Sequence, residues 1–352
     1  MNKASLKFLQ DLIVAPSPSG YEQPAQRVWR KYAEQFADKM NVDFHGNSFA
    51  VLNTQGKPRL MFAGHCDELG FIVKYIDDKG FIYFSTVGGH DKSIIPGRRV
   101  IIHSQNKTVT GVTGKKAIHL MTPEDRKKVP EIENLWIDIG VSTKKDAEKQ
   151  VAIGDPIVYD MGFQKINNKV ATSRGFDDKV GAFAVAEALR LLKGKELACA
   201  VYSVATVQEE VGLRGARTSG YAVNPQVGVA VDVTHATDSP EINVKKEGEI
   251  KLGKGPVILR GANANPRVVE MLMQAAKTEK LPFQIEAIAG GTGTDANAIQ
   301  LSRGGVATGL VSIPLRYMHT PSEVVSLEDV ENTAKLLAAF ARQVTPEVDF
   351  KP

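Results

Sequence analysis

Four short apolar runs in this chain end in side chains that bind metal ions, and this pattern restricts the fold more than any other feature. The runs lie at residues 60–67, 198–210, 227–232 and 311–319. Continuous apolar runs of this length are typical of strands that are covered on both faces in a parallel sheet. Ligands of open α/β sheets bind beyond the carboxyl ends of such strands, so we expect the four ends to meet at one site.

The candidate ligands at these ends are imidazoles and carboxylates. They are His65, Asp177, Glu210, Asp232 and His319, of which Asp177 opens a helix rather than ending a strand. Because two neighbouring divalent ions need a bridging oxygen donor, Asp177 is the natural bridge. His65 with Asp232 would then hold one ion, and His319 with Glu210 the other. This set of nitrogen and oxygen donors suits zinc, cobalt or manganese better than calcium.

Two further carboxylates have expected roles beside the ligands. Asp67 lies two residues after His65, so on a strand both side chains leave the same face. Asp67 is therefore placed to accept a hydrogen bond from the imidazole nitrogen that does not bind metal. Glu209 is left over from the ligand count, and we expect it to face the attacking water as the general base.

The sequence pattern changes twice along the chain, which divides it into an α/β lobe and an insertion. At 352 residues the chain is longer than one core usually supports. Residues 1–67 and 163–352 alternate strand and helix patterns, whereas residues 68–162 carry short strands, a hairpin signature at 77–80 and one helical piece near 144–149. The sequence thus predicts a catalytic lobe in two parts and an inserted β-rich assembly domain. We expect the strand edges of that domain to pair between copies.

Capping residues predict where several helices begin. Asn265 precedes Pro266, and Ser326 starts a capping box for the last helix. Asp295 is placed to cap a helix over residues 296–302, after a glycine-rich loop at 290–295. That loop lacks the lysine and the spacing of a phosphate-binding loop, so we do not interpret it as one.

Composition excludes several classes of protein. The net charge of +4 is mild and gives no nucleic-acid footprint, and no stretch approaches the length of a membrane span. Cys66 and Cys199 are the only cysteines, and each lies in an apolar run. They are interpreted as reduced core thiols, which favours a cytoplasmic location.

Several motifs in fixed order carry a resemblance to a known family. The segments at 64–70, 174–181, 207–216 and 313–320 resemble metallopeptidase family 42, which contains glutamyl and TET-type aminopeptidases and is often labelled endoglucanase M. The similarity covers nearly the whole chain. It implies an α/β fold with a three-layer α/β/α phosphorylase-like peptidase lobe and an inserted PDZ-like β-rich domain. It also implies a homo-oligomer, from a dimer to a tetrahedral dodecamer.

The resemblance implies the same site residues. The ligands of two divalent metal ions would be His65, Asp177 as the bridge, Glu210, Asp232 and His319. Glu209 would be the general base, and Asp67 would orient His65. Lys179 departs from the family, in which Arg is common at this position, and we expect little consequence because Lys179 lies outside the ligand set.

The leading functional hypothesis is a dinuclear metal aminopeptidase that removes N-terminal residues from short peptides. A water that bridges the two metal ions would attack the scissile carbonyl, and Glu209 would pass its proton to the leaving amine. A related hydrolase of N-acyl amino acids is the second hypothesis, since the same metal ions would cleave any amide presented correctly. A glycoside hydrolase is disfavoured, because adjacent carboxylates such as Glu209 and Glu210 diverge instead of flanking a sugar. A non-catalytic assembly protein would require a site that binds no metal.

Overall fold

The computed structural model describes residues 1–105 and 107–352. The helices are α1 (Lys3–Val14), α2 (Gln23–Ala33), α3 (Lys144–Glu148), α4 (Phe176–Leu192), α5 (Arg214–Val223), α6 (Val244–Glu247), α7 (Pro266–Thr278), α8 (Asp295–Ile299) and α9 (Leu327–Ala341). The strands are β1 (Lys39–Val42), β2 (Ser48–Leu52), β3 (Arg59–His65), β4 (Gly70–Ile76), β5 (Ile82–Val87), β6 (Arg99–Ser104), β7 (Lys107–Gly114), β8 (Trp136–Asp138), β9 (Pro156–Tyr159), β10 (Gln164–Lys165), β11 (Val170–Ser173), β12 (Ala200–Thr206), β13 (Val227–His235), β14 (Val257–Gly261), β15 (Gln284–Ile288), β16 (Ala307–Arg316) and β17 (Glu323–Ser326).

One large mixed sheet organises the α/β part of the chain. Its strand order is β1-β2-β12-β3-β13-β16-β17-β11-β10, and β14 with β15 branches from β16. The four central strands β12, β3, β13 and β16 run parallel. Leu60 and Phe62 of β3 join one apolar cluster, whereas Met61 and Ala63 join another. Because side chains alternate along a strand, these two clusters lie on opposite faces of the sheet. Each cluster includes helix residues, so helices pack against both faces, as the continuous apolar runs predicted.

The inserted strands form a closed barrel. The strands β4 to β9 close in the order β4-β5-β8-β7-β6-β9, and β9 pairs again with β4. The barrel has its own apolar core, which includes Phe71, Ile102 and Ile137. The predicted hairpin at 77–80 joins β4 and β5, and α3 is the predicted helical piece. Closure rests on short pairings, since β4 pairs with β9 only at Phe71 and Ile72 and β5 pairs with β8 only at Ile82. The expectation that strand edges of this domain pair between copies stays a prediction.

Helix starts agree with the predicted caps at two positions and differ at a third. Asn265 caps α7 by accepting hydrogen bonds from Arg267 N and Val268 N, and Ser326 caps α9. The cap of α8 is Thr294 rather than Asp295, which is the first residue of that helix. The Asp295 carboxylate instead accepts a hydrogen bond from Thr206 Oγ1 at 2.5 Å.

Two apolar runs do not end where the sequence indicated. β13 continues three residues beyond Asp232, to His235, and β16 ends at Arg316, so His319 lies in the following turn. Backbone φ at His319 is +61°, which is the left-handed conformation and differs from the extended backbone of a β-strand. Cys66 and Cys199 are free and buried, as predicted. In the described part of the chain, no helix is long and apolar enough to cross a membrane.

Candidate metal centre

The register of the parallel strands brings the predicted side chains to one edge of the sheet. Thr206 of β12 lies opposite His65 of β3, so Glu209 and Glu210 follow just beyond that imidazole. On the other side of β3, Ala230 lies opposite Ala63, which places Asp232 level with His65. The site therefore lies at the carboxyl ends of the central parallel strands, where α/β sheets bind their ligands.

Asp177 lies between the two imidazoles. Its Oδ1 is 3.3 Å from His65 Nε2, and its Oδ2 is 3.3 Å from His319 Nε2. Asp177 belongs to the first turn of α4, but its backbone is not helical, with φ −73° and ψ 109°. The two imidazoles differ in exposure, since the His65 side chain is 2% exposed and the His319 side chain 39%. One side of the site is thus enclosed and the other opens toward solvent.

The remaining carboxylates divide between the two imidazoles. Asp232 Oδ1 is 4.0 Å and Glu209 Oε2 is 3.9 Å from His65 Nε2. Glu210 Oε2 is 3.8 Å from His319 Nε2. The backbone turns at Gln208, where φ is +55°, so the adjacent glutamates leave the strand toward different halves of the site. All the predicted ligands, together with Glu209, therefore lie in one cluster.

Asp67 contacts both His65 and the glutamate pair. The Asp67 carbonyl oxygen lies 3.2 Å and its carboxylate 3.5 Å from His65 Nδ1. The same carboxylate accepts hydrogen bonds from Glu209 N at 3.0 Å and from Glu210 N at 3.2 Å. Ser19 Oγ donates a further hydrogen bond at 2.7 Å. The nearer acceptor for His65 Nδ1 is thus the Asp67 backbone carbonyl, whereas the carboxylate holds the backbone of the glutamate pair. The orienting role of the Asp67 side chain stays a prediction.

The structure adds two buried carboxylates to the predicted set. Asp178 accepts a hydrogen bond from His65 N at 3.1 Å, and Glu323 accepts one from Asp177 N and one from His319 N, each at 3.1 Å. Asp178 stands beside Asp177 in the sequence, which is a usable signal. Glu323 carries none, because its direction depends on how β17 pairs with β11.

Burial and neighbouring charges control the protonation of these groups. Desolvation raises the pKa of Glu209 to about 10, that of Glu210 to about 8 and that of Asp232 to about 7. Burial also acts to raise the pKa of Asp177, but hydrogen bonds from the two imidazoles hold it below its usual range. The hydrogen bond to Asp177 raises the pKa of His319 to about 9. The protein part of this site therefore carries more buried carboxylate than its own cations neutralise.

This donor set fits a metal centre. Donor atoms of His65, Asp177 and Glu210 lie within 4.8 Å of one another, as do those of His65, Asp178 and Asp232. Glu210 Oε1 is buried and has no hydrogen-bond partner in the described part of the chain. Asp178 is the weaker ligand candidate, since its two oxygens already accept backbone hydrogen bonds. Closely spaced imidazole and carboxylate donors of this kind bind divalent cations.

The barrel borders this centre. A Cβ on Gly88 would lie 3.5 Å from Glu210 Oε2, and one on Gly89 would lie 3.6 Å from His319 Nδ1. Gly88 has a φ of +80°, and a Cβ there would also overlap Leu69 at 2.3 Å, so only glycine fits. By contrast, a cavity of about 1290 Å³ lies at the amino ends of the parallel strands, lined by Arg59, Gln226 and others. We place the site by its chemistry rather than by cavity size.

Comparisons of the sequence and of the fold with known proteins identify the family. A model of the family described as M42 glutamyl aminopeptidase matches residues 46–336. The lysyl aminopeptidase of Pyrococcus furiosus is 34% identical over 349 residues, which are 98% of this chain and 99% of that protein. A TET aminopeptidase structure from a marine sediment archaeon of the Thaumarchaeota has a TM-score of 0.94 at 36% identity, over 98% of this chain and 97% of that one. The Pyrococcus horikoshii TET1 peptidase, described as assembling into a tetrahedron or a large octahedral shell, has a TM-score of 0.85 at 33% identity, over 97% and 100% of the two chains.

The fold and its acidic centre define a metal-dependent peptidase, and more narrowly an aminopeptidase. The chain belongs to the M42 glutamyl aminopeptidase family.

Proposed function

We propose that this protein is a dinuclear metal aminopeptidase that hydrolyses N-terminal residues from short peptides. The observation that carries the proposal is the position of Asp177, whose two oxygens each lie 3.3 Å from a different imidazole. A carboxylate in this position is suited to bridge two cations, with one imidazole serving each.

We assign each ligand carboxylate other than Asp177 to the imidazole that it lies beside. His65 and Asp232 would hold one cation, and His319 and Glu210 the other, with Asp177 shared. Zinc or cobalt fits this donor set best, and manganese is compatible with it. When bound, two such cations lower the pKa of a shared water and polarise the scissile carbonyl.

Glu209 is the residue that we assign as general base. Its carboxylate lies in the site without belonging to either proposed ligand pair, and Asp67 holds its backbone N–H. In the mechanism, Glu209 takes a proton from the attacking water and delivers it to the leaving amine. The pKa of about 10 applies to the metal-free site, and neighbouring dications would lower it and keep Glu209 ionised. We assign to Asp67 the orientation of the His65 ring, through its carbonyl oxygen at 3.2 Å and its carboxylate at 3.5 Å from Nδ1.

The deciding experiment is a substrate panel on metal-reconstituted protein. Metal-free protein would be loaded with zinc, cobalt or manganese and assayed on aminoacyl chromogenic substrates, on a peptide with a free N-terminus and on the same peptide N-acetylated. We expect metal-dependent release of amino acids from the free peptide only. Cleavage of the acetylated peptide would favour an N-acyl amide hydrolase, and cellulose hydrolysis by metal-free protein would contradict both.

The proposal extends to domain organisation and assembly. We assign residues 1–67 and 163–352 to a three-layer phosphorylase-like lobe and residues 68–162 to a PDZ-like domain that takes part in a homo-oligomer, between a dimer and a tetrahedral dodecamer. The barrel exposes large apolar side chains that support association: Ile72, Tyr75, Val112, Ile118, Leu120, Val129 and Ile153.

Light scattering tests the assembly role. Because Phe71 of β4 pairs with Ile157 of β9, the two ends of the barrel are adjacent, and a short linker can replace it. We expect the shortened chain to form a smaller particle than the full chain. An unchanged particle mass would remove the barrel from the assembly interface.

A further inference from the structure

Glu323 joins two segments of the metal centre that are distant in the chain. Its Oε2 accepts a hydrogen bond from Asp177 N, and its Oε1 accepts one from His319 N, each at 3.1 Å. The residue lies at the start of β17, is 2% exposed and pairs in register with Ser173 of β11. One buried carboxylate therefore spans the segments that carry the proposed bridge and one of the proposed imidazole ligands.

Neither of these N–H groups is held by regular secondary structure. Asp177 lies in the first turn of α4, where helical N–H groups have no partner within the helix. His319 lies in a turn after β16, with its backbone in the left-handed region. The His65 N–H is likewise held by a carboxylate, that of Asp178, but His65 lies within β3, where strand pairing fixes its backbone. The backbone on the His319 side thus depends on Glu323 in a way that the His65 side does not.

The chemistry of the contact requires a carboxylate. Two N–H donors converge on one side chain, one at each oxygen of the Glu323 carboxyl group. An amide of the same shape accepts at one end only and directs a donor at the second N–H. Asp67 has the same role toward Glu209 N and Glu210 N. Acidic side chains outside the ligand set therefore hold the backbone of the ligand-bearing segments.

We propose that Glu323 is a positioning residue that fixes Asp177 relative to His319 and thereby sets the affinity for the cation on the His319 side. The inference rests on the dinuclear site proposed above. It assigns Glu323 no contact with substrate. It predicts a larger loss of affinity for the cation beside His319 than for the cation beside His65, because Asp177 would contact both cations whereas His319 would contact only one.

A zinc titration of metal-free protein in competition with a chromophoric chelator tests this role. The variants are Glu323→Gln, Glu323→Asp and a matched control, Asp329→Asn. Asp329 also accepts two backbone hydrogen bonds while buried, from Gly253 N at 2.7 Å and Gly255 N at 2.8 Å, but it lies outside the metal centre. The control thus shows what the loss of any buried carboxylate that accepts backbone hydrogen bonds does to the protein, so that the specific effect of losing Glu323 can be recognised.

We expect Glu323→Gln to weaken one zinc site by about 10-fold to 100-fold, the usual effect of removing a group that orients a ligand, and to leave the other within about threefold. Excess zinc should then restore turnover. Asp329→Asn should lower the thermal midpoint and leave both zinc affinities unchanged.

Four outcomes would overturn the inference. The inference is wrong if Glu323→Gln binds two zinc ions as tightly as wild type does. It is also wrong if both sites are weakened equally. If Glu323→Gln does not fold, Glu323→Asp provides the same test, because its shorter side chain keeps the charge but cannot span both donors, and wild-type affinities in it would be decisive. Wild-type protein that binds a single zinc ion would overturn the dinuclear proposal and this inference with it.

Discussion

Two buried charge clusters lie next to each other in this protein, and they balance their charges in opposite ways. The first is the candidate metal centre, built from His65, Asp177, Glu209, Glu210, Asp232 and His319. The second, here named the ion cluster, consists of Glu68, Arg174 and Lys179. Asp67, which contacts His65, and Glu68, which pairs with Arg174, are adjacent in the chain but contact different clusters.

In the ion cluster, cations of the protein neutralise the buried carboxylate. Arg174 forms an ion pair with Glu68 and donates to Tyr159 O and Val14 O, at 2.9 and 3.1 Å. Lys179 donates to Glu68 at 2.8 Å and to Ala15 O at 2.7 Å, and its side chain is fully buried. Burial acts to raise the pKa of Glu68, but these cations hold it below its usual range.

At Lys179, burial disfavours the charged form of the side chain. Burial is the largest effect on the pKa of Lys179 and lowers it, whereas the charge of Glu68 acts to raise it. The lowered pKa of Glu68 indicates a stabilised ion pair, but the lowered pKa of Lys179 indicates the opposite. We take both groups as ionised, because Lys179 Nζ has three oxygen acceptors, in Ile13, Ala15 and Glu68. Lys179 is thus a structural residue outside the ligand set, and the expectation that Lys in place of Arg has little consequence stays a prediction.

The contrast separates a structural ion cluster from a metal centre. In the ion cluster each charge has a protein partner, whereas desolvation dominates at Glu209, Glu210 and Asp232 and leaves their pKa values raised. Buried carboxylates without protein cations are costly unless a bound cation completes them. Loss of an acid should therefore impair chemistry or metal binding in one cluster and folding in the other.

The largest effect should come from Glu209→Gln. This change keeps the shape of the side chain but removes proton transfer, so turnover should fall by about 10²-fold to 10⁴-fold. Two zinc ions per chain should remain bound, and the thermal midpoint should not fall. Metal analysis and steady-state kinetics on the same preparation decide this. Loss of metal from this variant would make Glu209 a ligand instead of the base.

Glu68→Gln should have the largest effect on folding. Removal of one partner from a buried ion pair typically costs about 3–5 kcal/mol, because Arg174 and Lys179 are left buried without their counter-charge. Chemical denaturation of metal-loaded protein measures this cost. Protein that remains folded should still bind two zinc ions. A loss of zinc with unchanged stability would show that the two clusters are not separate.

Glu210→Gln should act on metal content. The amide oxygen lacks the charge that would hold the cation beside His319, so one zinc ion should bind more weakly while the other stays. Added zinc should partly restore activity, which distinguishes this variant from Glu209→Gln. Full occupancy at wild-type affinity would exclude Glu210 as a ligand.

The pH dependence of stability should differ between metal-free and metal-loaded protein. Folding raises the pKa of Glu210 from 4.5 to about 8 and that of Asp232 from 3.8 to about 7. Between those limits the folded state binds more protons than the unfolded state, so its stability falls as pH rises. His319, raised from 6.5 to about 9, acts in the same direction.

Thermal midpoints measured with a chelator, from about pH 5 to about pH 9, should therefore decline. With zinc bound, cations replace the protons and the decline should be smaller. A flat profile for the metal-free protein would mean that cations of the protein already neutralise the negative charges of the Glu210 and Asp232 carboxylates.

The smallest effect should come from Glu131→Gln, an exposed counterpart of Glu68→Gln. Lys92 contacts Glu131 at 2.6 Å, with side chains 43% and 58% exposed. Solvent-exposed ion pairs are worth about 0–1 kcal/mol, so denaturation should change little. A loss as large as that of Glu68→Gln would remove burial as the explanation of the difference.

The sequence by itself determined the strands and the chemistry at their ends. Apolar runs predicted β3, β12, β13 and β16, and the structure brings the polar residues that follow or interrupt them into one cluster. Capping residues such as Asn265 and Ser326 predicted helix starts, because a cap bonds N–H groups only a few residues away. Patterns of this kind depend only on residues that are close in the chain, so the sequence alone reveals them.

Only the tertiary structure decided how distant segments meet. The barrel closes because β9 returns to β4, and Asp295 bonds Thr206 instead of capping α8. Glu323 reaches Asp177 N and His319 N because β17 pairs with β11 in one register. A shift of that register by one residue would turn the Glu323 side chain to the other face of the sheet. Contacts of this kind depend on strand pairing across the chain, and no spacing of residues in the sequence encodes them.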